Sequence, residues 1–190
     1  MIRPLYFHNP NQEGFEAIIK HLHSKNYKFI SIEELYSRLE KNDTKGKLAY
    51  ISFDDGWQGN LKLIPIIEKY NVHITIFIAV NPIMSGNFWW EFVAKKVGYT
   101  QMQNFKNLPH DEFESQLKKI KTEVADLQRS AMTIDELETI TKHPLISIQS
   151  HTINHPILTK LPDDLLDFEL SESQKQLEKI TGKSLFAFSY

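Results

Sequence analysis

Apolar positions along this chain fall into two alternating patterns: stripes with a period near 3.6, and short continuous runs. Glu13 to Lys25 carries Phe15, Ile18, Ile19 and Leu22 on one stripe, which predicts a helix, and Tyr27 to Ile30 follows as a short strand. Ser31 and Glu34 form a capping box that opens a helix reaching about Glu40. Beyond a polar turn at Asn42 to Gly46 lies the first strong strand, Lys47 to Phe53. Leu61 to Tyr70 reads as a helix whose start Pro65 leaves undefined, and His73 to Ala79 as a β-branched strand.

From Asn81 to about Ser130 the alternation stops. Phe88 to Val97 reads as a helix ending at Gly98, and Asp111 to Leu127 as a charged helix with Phe113, Leu117, Ile120 and Val124 on one face. No strand separates them, so residues 81–130 are expected to be a helical insertion over the sheet edge or over the site, within one domain spanning 1–190. Thr133 and Glu136 make a second capping box, and Leu145 to Gln149 is the next strand. Leu165 to Ile180 is an amphipathic helix stopped by Gly182, and Leu185 to Phe188 begins a further strand. Strands alternating with helices predict a parallel α/β architecture.

Composition narrows this little. The 190 residues suffice for one core, and 41% hydrophobic with 24% charged residues is ordinary for a globular chain. A formal net charge of −2 argues against nucleic acid or an anionic membrane as partner. No apolar run approaches the ~18–20 residues of a membrane span, and Met1 to Leu5 lacks the apolar core of a signal peptide; the compartment stays open. With no cysteine, thiolate metal sites and disulfides are excluded.

Two clusters carry the chemistry. Asp54-Asp55-Gly56 follows the Leu48 to Phe53 run, and His151-Thr152-Ile153-Asn154-His155 follows Leu145 to Ser150. Each sits just beyond a strand, at the end where parallel sheets assemble their sites. Taken alone, Asp-Asp-Gly is also an ordinary turn, and histidines four apart also occur on plain surfaces. On one helical turn, however, His151 and His155 would share a face and chelate one ion. Adjacent aspartates on an extended backbone point apart, so one can ligate while the other faces the substrate as a base. Thr152 and Asn154 suit local bracing of the loop. Trp89 and Trp90, flanked by Phe88 and Phe92, read either as core or as a sugar-stacking platform, a task for which Trp57 is better placed. The other six histidines, His8 among them, read as structural or solvated.

At these positions the chain resembles the polysaccharide deacetylase family, the NodB-homology domains of carbohydrate esterase family 4. Ser52-Phe53-Asp54-Asp55-Gly56 is similar to its [TS]-F-D-D-G motif, and His151-Thr152-Ile153-Asn154-His155-Pro156 to its H-[ST]-x-x-H-P motif. The resemblance implies an irregular (β/α), TIM-like barrel of the NodB type. It implies that Asp54 is the catalytic base, that Asp55, His151 and His155 are ligands of a divalent metal, and that Thr152 supports the loop. The metal expected is Zn2+, with Co2+ or Ni2+ also suited to that ligand set. The reaction implied is hydrolysis of N-acetyl groups on an amino-sugar polysaccharide or oligosaccharide. Phe188-Ser189-Tyr190 resembles the approach to a third motif. The motifs that bring an oxyanion N–H and a general-acid histidine have no counterpart within these residues, nor does the family's N-terminal strand. The expectation is therefore a barrel incomplete at its C-terminus and N-terminal strand, with doubtful activity in this 190-residue form. The competing expectations are an impaired carbohydrate- and metal-binding domain and, less favoured, a metal-dependent phosphoesterase.

Overall fold

The computed structural model describes residues 1–190, and its centre is a five-stranded, all-parallel sheet. Its strands are β1 (Ile2–Phe7), β2 (Lys28–Ile30), β3 (Leu48–Phe53), β4 (Ile74–Ile78) and β5 (Ile146–Ser150). β3, whose six residues are all buried, is the spine. β1 pairs along its full length, from Ile2 opposite Leu48 to Phe7 opposite Phe53. Its other edge is shared, β2 taking Leu48 to Tyr50 and β4 taking Ile51 to Phe53. β5 then pairs with β4. Strands buried on both faces read as continuous apolar runs rather than alternating ones, which is how β3 and β4 stood out.

β1 corrects the expectation that the N-terminal strand has no counterpart. Arg3, Pro4 and a largely exposed Tyr6 break the apolar run that would have revealed it. Proline is tolerated there because β1 is an outer strand, with β3 on only one side. Leu185 to Phe188 differs in the opposite sense. It runs beside β5 but forms only one parallel bridge, Ser150 to Phe188, instead of a strand. β1 and β5 thus end the strand order, β2 pairs with β3 alone, and the sheet is not closed into a barrel.

Helices α1 (Gln12–Ser24), α2 (Ile32–Glu40) and α3 (Ile64–Tyr70) connect the first four strands. The helix expected from Leu61 begins instead as a 3-10 segment, Gln58–Leu63, and turns α-helical at Ile64, so Pro65 lies in the first α-turn where its missing N–H costs nothing. Between β4 and β5 come α4 (Val80–Ser85), α5 (Trp89–Val97), α6 (Tyr99–Phe105), α7 (His110–Glu123) and α8 (Ile134–Ile140). α6 has no equivalent in the sequence pattern; its seven residues are too few to show a periodicity. α5, α6 and α7 bury a core of their own around Trp89, Val93, Met102, Phe105 and Phe113. The final helix, α9 (Asp163–Thr181), ends at Gly182 in the left-handed region and packs on β5. No helix is long and apolar enough to cross a membrane.

The main core lies on the sheet, with Phe15, Phe53 and Phe7 packed edge-to-face at its centre. Phe53 is fully buried directly before the two aspartates. Phe53→Ala is expected to cost about 3–5 kcal/mol, measured as a lower urea midpoint at unchanged m-value.

Candidate metal centre

Parallel pairing brings the C-terminal ends of β1, β3, β4 and β5 to one side, so both clusters arrive there from different strands. After Phe53 the chain turns sharply. The Asp54 amide still donates to Phe7, but Asp55 (φ 74°) and Gly56 (φ 91°) are left-handed. An Asp tolerates this conformation better than most residues. Gly56 is required for a second reason, because a Cβ there would stand 2.8 Å from Ile78 Cδ1. The turn swings the Asp55 carboxylate inward, to 1% exposure.

Asp55 Oδ2 accepts the indole N–H of Trp57 at 2.7 Å. Its Oδ1 lies 3.3 Å from His151 Nε2 and 3.3 Å from His155 Nε2, yet this buried oxygen has no hydrogen-bond partner. Two ligand atoms about 2.0–2.1 Å from one ion in tetrahedral geometry stand about 3.3–3.4 Å apart. The three residues therefore fit a divalent cation, with an orphaned carboxylate oxygen at its centre. Asp55, His151 and His155 can hold a metal ion, and no other group of His, Asp or Glu side chains in the chain gathers in this way.

The histidines are not on a helical turn, which corrects the expectation from their spacing. They occupy an irregular loop after β5 in which Thr152 (φ 69°) and His155 (φ 55°) are both left-handed, a rare conformation for a β-branched residue. Their shared aim is built by hydrogen bonds. The amides of His151, Val80 and Asn81 and the carbonyls of Ile78, Thr152 and Ile153 lace the loop to β4 and α4. Thr152 Oγ1 accepts the His155 amide at 3.1 Å, a contact that spans the loop. His151 Nδ1 donates to the Ser189 carbonyl at 2.8 Å, which fixes the ring and turns Nε2 toward Asp55.

Electrostatics reinforce this geometry. Burial by itself would raise the Asp55 carboxyl, but the two imidazoles outweigh it and hold the group well below the usual carboxylate range. Burial opposes charge on His151, yet Asp55, the Ser189 carbonyl and Asp54 raise it above an ordinary histidine. Asp54 is the opposite of its neighbour. It is partly exposed, its Oδ1 has no partner, and burial together with the charge on Asp55 raises its carboxyl against the nearby histidines. A carboxylate with a raised pKa is a better proton acceptor.

Trp89 is buried and offers no open face, whereas Trp57 and Trp90 are partly exposed. A cavity of about 220 Å³ opens beside the histidines, lined by Thr152, Pro156, Leu158 and Tyr190 as well. Two contributors escaped the sequence reading. His8, at the end of β1, follows Phe7 in register with Phe53, and its charge is felt at Asp54. Glu169, buried on α9, accepts the amides of Ile153 and Asn154 at 2.8 and 2.9 Å and the Asn154 side chain at 2.6 Å. An acid in line with Ser173 and Leu177 on the buried stripe of that helix was the available signal.

A family model described as polysaccharide deacetylase matches residues 41–190. The chain is 24% identical over 183 residues to YxkH of Bacillus subtilis (strain 168), a protein classed with the polysaccharide deacetylases, covering 95% of this chain and 50% of YxkH. It therefore spans about half the length of that curated relative. Its fold is similar to that of the Streptococcus pyogenes deacetylase PplD, solved in complex with acetate, at a TM-score of 0.71 and 20% identity, over 100% of this chain and 73% of PplD. It is also similar to BC0361, a polysaccharide deacetylase from Bacillus cereus, at a TM-score of 0.66 and 21% identity, over 100% of this chain and 50% of the other.

Removing the Glu169 carboxylate strips acceptors from two loop amides. Glu169→Ala is expected to cost about 1–3 kcal/mol of stability, read by thermal unfolding, and to weaken Zn2+ binding in a chelator competition.

Proposed function

The chain belongs to the polysaccharide deacetylase family, and on that premise we propose that it is a metal-dependent hydrolase removing N-acetyl groups from an amino-sugar polysaccharide. The observation that carries this reading is the buried, unpartnered Asp55 Oδ1 at 3.3 Å from two imidazole Nε2 atoms, with a second carboxylate on the adjacent residue. Asp55, His151 and His155 hold the cation, for which Zn2+ is the proposed identity and Co2+ or Ni2+ the alternatives. Once bound, the cation supplies Lewis acidity, lowering the pKa of a water and polarising the amide carbonyl.

Asp54 takes a proton from the attacking water, for which its raised pKa suits it. The water oxygen joins the acetyl carbon, the proton held by Asp54 passes to the amide nitrogen, and the C–N bond breaks to leave acetate and the free sugar amine. The cavity beside His151 and His155 borders the site closely enough to receive part of the substrate, and Trp57 and Trp90, both partly exposed, are the proposed flanking sugar contacts.

The test is acetate release from an N-acetylated chito-oligosaccharide. Chelator is expected to abolish turnover, and added Zn2+ or Co2+ to restore it. Asp54→Asn is expected to lower kcat by about 100-fold or more while leaving metal content unchanged. Turnover that ignores chelator, or a wild-type rate in Asp54→Asn, would overturn the mechanism.

A further inference from the structure

We propose that Trp57 and Trp89 are positioning residues of the metal centre, their indole N–H groups holding Asp55 and His155 in ligating geometry. The inference rests on the metal-centre reading above. It gives the tryptophans a task distinct from stacking on sugar.

Asp55 has two carboxylate oxygens, and a carboxylate can ligate through one or both. The Trp57 indole N–H occupies Oδ2 at 2.7 Å, which leaves Oδ1 alone to face the two imidazoles. The indole is itself held. Its ring lies 4.3 Å from that of Phe88, a fully buried residue. Phe88 stacks on Trp90 at 4.8 Å and 9°, and Trp90 meets the His155 imidazole edge-on at 4.8 Å. One continuous aromatic wall thus runs from the carboxylate ligand to the second histidine.

His155 needs such a wall more than His151 does. Metal-ligating histidines nearly always donate their other ring N–H to an acceptor, which fixes tautomer and ring orientation. His151 does this through Ser189, whereas His155 Nδ1 is buried with no partner. What anchors His155 instead is its backbone. Trp89 Nε1 donates to the His155 carbonyl at 2.9 Å, at a residue held in the left-handed region. Such conformations persist only where the surroundings over-determine them. Glu91 fixes the run itself, since its Oε2 accepts the Phe88 amide at 2.8 Å and the Ser130 hydroxyl at 2.6 Å. Residues between β4 and β5, far in sequence from either ligand cluster, therefore back the Trp57 ring and hold the His155 backbone.

Loss of such supporting contacts typically costs about 10–100-fold in metal affinity. The experiment uses the metal-free full chain, with Zn2+ affinity measured by chelator competition and the visible spectrum recorded with Co2+. Trp57→Phe and Trp89→Phe are compared with the wild type. A third protein carries β-(3-benzothienyl)alanine at position 57, which keeps the ring shape and removes only the N–H. Each variant is expected to raise the Zn2+ dissociation constant by about 10–100-fold and to alter the Co2+ spectrum. The metal-free benzothienyl variant is expected to unfold cooperatively at a lower temperature than the wild type, because buried Asp55 Oδ2 loses its donor while the ring packing stays, so it carries the test should a phenylalanine variant fail to fold. Wild-type Zn2+ affinity and an unchanged Co2+ spectrum in that variant overturn the inference, whether or not oligosaccharide binding is lost. A wild-type chain that binds neither ion overturns the metal-centre reading itself.

Discussion

The structure turns on one buried carboxylate. Asp55 lies at 1% exposure, where an uncompensated charge is too costly to keep. It stays ionised because two imidazoles and one indole N–H surround it. Those partners come from beyond two different strands. β3 delivers the aspartate, β5 delivers the histidines, and β4 lies between them. Neighbouring strands stand about 4.7–4.9 Å apart, so the ligands meet only if both turns bend inward over β4. The backbone ladders of β3 with β4 and of β4 with β5 set that spacing, and Phe53, Ile76, Ile78 and Ile148 belong to the core packed on the sheet.

Backbone strain gathers at the same place. Asp55, Thr152 and His155 all adopt positive φ, at about 1–3 kcal/mol each for such conformations. The compensation is local. Ile78, Glu169 and Thr152 accept loop amides, and Trp89 caps the His155 carbonyl. Three left-handed residues within one small site mean that the geometry of the ligands was favoured over backbone comfort. The helices between β4 and β5 supply the aromatic wall against that site, so they act on it without contributing a ligand.

Much of this was legible in the chain. β3 and β4 announced themselves as unbroken apolar runs because both their faces are covered, and the N-caps at Ser31 and Thr133 marked real helix starts. Of the two, only Thr133 closes a reciprocal box, with Glu136; the Glu34 carboxylate pairs instead with Lys28 and Arg38. β1 was hidden because an outer strand does not need a continuous apolar run. α6 was hidden by its length. The histidine spacing pointed to shared aim but to the wrong backbone: four residues also make one tight loop when two of them are left-handed, and spacing alone does not separate the cases.

The amino-acid sequence by itself determined the class of fold and the chemistry available to it. Burial and the alternation of helices with strands follow from hydrophobic patterning, and a metal-capable set follows from Asp and His at strand ends. Only the tertiary structure decided which oxygen of Asp55 faces the histidines, which nitrogen of His151 meets the Ser189 carbonyl, and what holds His155. Those choices depend on contacts across long stretches of chain, from Trp89 to His155 and from His151 to Ser189. A hydrogen bond is sensitive to tenths of an ångström and to angle, and local residue pattern carries no information at that scale until the sheet has brought the partners together.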